Sequence, residues 1–173
     1  GMKVQGLTAR EEILAEAREH LASAGVHGPV TVARIQNGRL PYVDSMVNLL
    51  VVEPAVTVER SELLRVLAPL GVLMTRRNDG WDRFVKPWPG NIDDWTHFLH
   101  GPGNNAVAQD RVVGPPQRLQ WLADPRHLRS HEHLNSVSAL VSARGRIFTI
   151  LDEGPSGAVI APPRWRLVAR DAF

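Results

Sequence analysis

Apolar residues first recur at helical spacing between Arg10 and Ala24, where Ile13, Leu14, Ala17 and Leu21 fall on one face. This spacing predicts a helix. Thr8, with Glu11 three residues later, matches a capping box, and Gly25 stands where a left-handed residue closes a helix. Lys3 to Leu7 reads as a short strand before this helix and Val30 to Ile35 as a strand after it. Gln36 to Met46 is a polar loop punctuated by Gly38 and Pro41. Val47 to Val52 is almost purely apolar, as expected of a parallel strand covered on both faces. Glu59 to Leu67 predicts a second, short helix, Pro69 and Gly71 a break, and Val72 to Thr75 a further strand.

Strands alternating with helices in this order imply parallel pairing through crossover connections. The expected fold class is therefore α/β, with the first region forming part of a Rossmann-like, doubly wound sheet. Past Arg77 the texture changes. Trp81, Pro87, Trp88, Pro89 and Gly90 interrupt any periodicity, so the segment reads as a linker with one turn of helix near Asp93 to Leu99. From about Arg118 short strands follow one another: Leu119 to Leu122, Ser136 to Ala143, a turn at Arg144 and Gly145, Arg146 to Leu151, and Arg166 to Ala169. The expected organisation is an α/β unit over 1–77, a linker over 78–117 and an antiparallel β region over 118–173.

Composition narrows the function classes. Twenty Lys and Arg against eighteen Asp and Glu give a net charge of +2 without long runs of one sign, so a nucleic-acid partner is not expected. No apolar stretch reaches the roughly 20 residues that span a bilayer. Cysteine is absent, which removes disulfides, zinc–thiolate sites and cysteine nucleophiles and leaves both the periplasm and the cytoplasm open. Ser136, Ser138 and Ser142 lack the flanking glycines of a nucleophile elbow.

Two blocks, Leu40 to Val52 and Glu62 to Leu73, resemble the fourth strand, following helix and fifth strand of class I S-adenosylmethionine-dependent methyltransferases. The resemblance covers about residues 3–76. It implies that Lys3 to Leu7 is that family's second strand, that the first strand with its glycine-rich loop lies outside this sequence, and that the chain is an internal fragment. The acidic residue that holds the ribose in the family is matched here by Thr8, which cannot make the charge-assisted contact of a carboxylate. The resemblance further implies adenine contacts near Gln36 and Asn37 and a site position at Glu53, which follows the fourth strand. Cofactor-binding positions are thus expected at Thr8, Gln36, Asn37 and Glu53, in a degenerate domain.

A second resemblance begins at Asp93-Asp94-Trp95-Thr96-His97-Phe98-Leu99-His100, runs through Asn104 to Ala108, Gly114-Pro115-Pro116 and Leu119-Gln120-Trp121, and ends at Leu167 to Ala172. These segments resemble bacterial proteins with PQQ-binding-like repeats, implying the opening strands of an incomplete β-propeller. The joint expectation is a binding or scaffold protein that is not catalytic alone and holds no cofactor by itself. S-adenosylmethionine or PQQ would belong to a longer parent, which would be a methyltransferase or a quinoprotein-type dehydrogenase. Propeller surfaces would meet protein partners, and uncovered sheet edges would favour self-association. Most of the histidines lie between His97 and His133, and His131-Glu132-His133 would set two imidazoles on one face of a strand, a candidate metal pair.

Overall fold

The computed structural model describes residues 2–26, 28–112, 114, 137–155 and 160–173. These fall into two compact units, Gly1–Pro87 and Trp88–Phe173.

In the first unit β1 (Val4–Thr8), α1 (Glu11–Ser23) and β2 (Val30–Arg34) form a β-α-β arrangement with the two strands parallel, Val4 beside Val30 and Thr8 beside Arg34. Gly25 closes the helix region with φ 66°, where its missing Cβ removes the usual penalty. The capping box does not form. Arg10 occupies the cap position, and the Thr8 hydroxyl instead accepts the Arg10 N–H at 3.2 Å, a short turn that leads into the helix.

A second sheet contains β3 (Val47–Val52), β4 (Leu67–Arg77) and β5 (Gly80–Val85), with β3 and β4 parallel and β4 and β5 antiparallel. Between β3 and β4 the chain makes α2 (Arg60–Val66), which passes straight into β4 at Leu67. The break predicted at Pro69 and Gly71 is a bulge within the strand. Val47 pairs with Leu67 but Leu49 already pairs with Val72, so residues 68–71 loop out, with Leu70 in a left-handed conformation at φ 62°. Leu40, Leu63, Val66, Leu67 and Leu73 form the core, and Leu7, Ile35, Leu50, Val52 and Phe84 pack against it from both sheets.

The doubly wound expectation is overturned. The described strands form three separate small sheets of two, three and three strands with only two helices among the described residues, whose regular structure is mostly β. A doubly wound fold needs one continuous parallel sheet with helices on both faces. Here β3 is covered on one face only: Leu50 and Val52 face the core while Leu49 and Val51 stand in solvent, so the apolar run does not mark a strand buried on both sides. Residues 80–85, expected within the linker, pair with β4 along their whole length from Gly80 opposite Arg77 to Val85 opposite Val72.

The propeller expectation is overturned as well. In the second unit β6 (Val137–Ala143), β7 (Arg146–Asp152) and β8 (Trp165–Asp171) form a three-stranded antiparallel meander, whereas a propeller is built from several four-stranded blades around a channel. The β6–β7 hairpin turns through Arg144 (φ 47°) and Gly145 (φ 75°), the two left-handed residues of a tight hairpin. The strand expected over Leu119 to Leu122 lies outside the described residues. Among the described residues no helix is long and apolar enough to cross a membrane.

Candidate functional site

Three of the four expected cofactor positions stand together. Thr8 ends β1, and its carbonyl accepts the Ile35 N–H at 2.9 Å, so the chain leaving β2 runs beside it. Gln36 and Asn37 follow at once. Asn37 (φ 53°) and Gly38 (φ 69°) make a tight reversal closed by the Arg39 N–H donating to the Gln36 carbonyl at 3.0 Å, and both Gln36 and Asn37 are exposed. The Asn37-Gly38 pair is a strong turn signal, because two successive left-handed residues suit Asn-Gly. Near this edge Arg34, the β2 partner of Thr8, pairs with Glu11 of α1 at 3.3 Å. Glu53 stands apart from the other three at the end of β3, in the second sheet, where its carbonyl accepts the Val56 N–H. The structure therefore groups Thr8, Gln36 and Asn37 at the C-terminal ends of a parallel strand pair.

Beneath the loop that follows, a charged clip fastens α2. The Arg65 guanidinium donates to both carboxylate oxygens of Glu62 at 2.7 Å, to Asp44 at 2.7 Å and to the carbonyls of Tyr42 and Leu40 at 2.9 and 3.3 Å. Glu62 also accepts the Leu40 N–H at 2.8 Å. The Arg65 hydrogen bond, aided by the Leu40 N–H and against some desolvation, lowers the Glu62 pKa to about 2. Every strong donor in the clip has an acceptor, so it positions the 40–46 loop and is not itself a binding site.

In the second unit the Asp93 carboxylate collects the Asp94 and Gln109 N–H groups and the His100 Nε2, the last at 2.6 Å. The Gln109 N–H and His100 hold its pKa below the ordinary carboxylate range. His100 lies edge-on to the Trp95 ring, with centroids 5.2 Å apart. Asp94 accepts the Arg144 N–H at the β6–β7 turn, and Trp95 exchanges hydrogen bonds with Ser142 at 2.8 and 2.7 Å, which lays this loop along β6. The sequence brought Asp93 and the histidines to notice only as neighbours, because Asp93 and His100 are seven residues apart and no regular element joins them. Among the described residues no three His, Asp or Glu side chains gather closely enough to hold a metal ion. His131 and His133, the expected metal pair, lie outside the described residues.

No family profile matches the chain, and no curated protein matches it. Among solved structures the chain has a weak likeness to the crystal structure of the 4+2 cyclase SpnF, with a TM-score of 0.39 and 22% identity, over 46% of this chain and 33% of that one. The matched part thus spans about a third of the cyclase.

Proposed function

We propose that this chain is a binding or scaffold segment that is not catalytic alone, and that a longer parent would take the nucleoside end of S-adenosylmethionine at the C-terminal ends of β1 and β2. The observation that carries the reading is the grouping of Thr8, Gln36 and Asn37 at one strand-pair edge. The residues present suit the adenosine half of such a ligand. A Thr8 hydroxyl proton is free to be donated to a ribose oxygen while the oxygen accepts from Arg10, and exposed amides at Gln36 and Asn37 offer the donor and acceptor pairs that an adenine edge requires. Thr8 is also the reason for the scaffold half of the reading. A neutral hydroxyl replaces the carboxylate that would accept two charge-assisted bonds from a ribose diol, each roughly twice as strong as a neutral bond. The bound group would supply an activated methyl; these residues would only bind and orient its nucleoside.

Calorimetric titration with S-adenosylmethionine tests this. The expected result is no saturable heat below about 100 μM for the chain as it stands, with Thr8→Asp strengthening binding by about tenfold, the worth of roughly 1.4 kcal/mol. Micromolar binding by the unaltered chain would overturn the scaffold reading, and an unchanged Thr8→Asp variant would remove the nucleoside site.

A further inference from the structure

The strand edge that groups Thr8, Gln36 and Asn37 also carries arginines. Arg10 follows Thr8 by two residues, with its N–H held on the Thr8 hydroxyl, and Arg34 is the β2 partner of Thr8 in register. Both arginines are exposed. The Arg10 guanidinium has no ion pair among the described residues, and Arg34 meets Glu11 at 3.3 Å with the two side chains 54% and 62% exposed. A pair so open to water contributes little, so Arg34 is free to turn to a stronger anion. The acids of this corner are Glu11 and Glu12. Glu12 lies about 160° around the helix axis from the buried Leu14, which puts it on the side of α1 away from the strands. The Arg39 charge acts on Glu62 in the clip. Two guanidiniums and one carboxylate therefore stand beside Thr8.

We infer that this edge takes an adenosine whose ribose diol carries a phosphate, in preference to one with both hydroxyls bare. The inference names the ligand class of the nucleoside site and rests on that half of the reading above. Thr8 and Arg10 make the choice. A carboxylate at the end of β1 would accept both protons of a ribose diol and would repel a phosphate standing in the same place, which carries about −1.5 to −2 charge at pH 7. Thr8 removes that repulsion. It keeps a hydroxyl proton to donate to a phosphate oxygen, while its own oxygen accepts the Arg10 N–H. The planar guanidiniums of Arg10 and Arg34 match phosphate oxygens in paired, charge-assisted bonds, each roughly twice as strong as the neutral bonds a bare diol would make. S-adenosylmethionine has a bare diol, so the arginines that favour the phosphorylated sugar do nothing for its ribose.

The test uses the isotope-labelled whole chain, with adenosine 2′-monophosphate and adenosine 3′-monophosphate titrated beside adenosine, adenosine 5′-monophosphate and inorganic phosphate. Binding is read from backbone amide shifts in NMR spectra. At least one diol phosphate is expected to bind about tenfold more tightly than adenosine or its 5′-monophosphate, moving the Thr8, Arg10 and Arg34 amides. Arg10→Gln should remove that preference with the rest of the spectrum unchanged. Thr8→Asp should reverse it, weakening the diol phosphate while strengthening S-adenosylmethionine. Equal binding of adenosine and its diol phosphates would overturn the inference and leave the nucleoside site standing. Inorganic phosphate binding as tightly as the nucleotides would overturn it by reducing the edge to a simple anion site, and so would a preference that survives Arg10→Gln. Unmoved amides with every nucleoside at about 10 mM would overturn the inference and the nucleoside site together.

Discussion

Arg65 shows how one side chain organises its surroundings. Its guanidinium joins two carboxylates and two carbonyls, holding the loop that supplies Leu40 to the core. Arg65→Met would leave Glu62 without its main partner and the Leu40 and Tyr42 carbonyls without this donor. The expected loss is about 1–3 kcal/mol in urea denaturation monitored by tryptophan fluorescence. Glu62 sets an accompanying pH dependence. Its folded pKa is about 2 against an ordinary 4.5, so its contribution is present in full above about pH 4.5 and is lost as pH falls toward 2. Acid titration of the melting temperature should be steeper across that window in the native chain than in Glu62→Gln, and identical slopes would show that the clip is not populated. Asp93, also lowered, works in the same direction at the acid end.

At the scale of elements, β4 is the most constrained. Gly71 stands where an added Cβ would lie 2.7 Å from the Ala68 carbonyl oxygen and 3.1 Å from the Leu67 side chain. Neither neighbour can yield easily, since one is backbone and the other is buried. Gly71→Ala should therefore cost about 1–3 kcal/mol by overpacking, readable as a lowered urea midpoint at unchanged slope. The elements themselves were largely legible in the sequence. Both helices, β1 to β3 and the β6–β7–β8 strands fall close to where periodicity and turn residues put them, because each is encoded by local pattern. What the pattern does not encode is what covers an element. The continuous apolar run at Val47 to Val52 looks the same whether one face or both are buried, and the doubly wound expectation turned on that difference. β5 was hidden for another reason: its alternation is obscured by Trp81, Arg83 and the neighbouring prolines, and only pairing with β4 reveals it. In the candidate site, proximity in sequence made Gln36 and Asn37 legible, and the parallel pairing of β1 and β2 added Thr8, whereas Glu53 required knowing that β3 belongs to a different sheet.

For the whole molecule, the chain divides into two compact units between Pro87 and Trp88. The first contains its own core, contributed by both of its sheets and α2. A chain ending at Pro87 should therefore fold by itself, giving dispersed amide NMR signals for β1 to β5 that overlay those of the full chain. Collapsed, undispersed signals would show that the units are interdependent. In the second unit Asp152 is buried, at 1% exposure, and its carboxylate accepts the Gly154 and Arg164 N–H groups, closing the path from β7 to β8.

Lys86, the next-to-last residue of the first unit, donates its ammonium to the Leu64 and Leu67 carbonyls at the end of α2, while its backbone pairs with Leu70 and Gly71. Tension entering through Pro87 would thus reach a residue anchored to a helix end by its side chain and to a strand by its main chain. The bonds at this anchor would be loaded together instead of unzipping one after another from a loose end. Lys86 thereby ties this end of the first unit to α2 through its side chain and to β4 through its main chain at once.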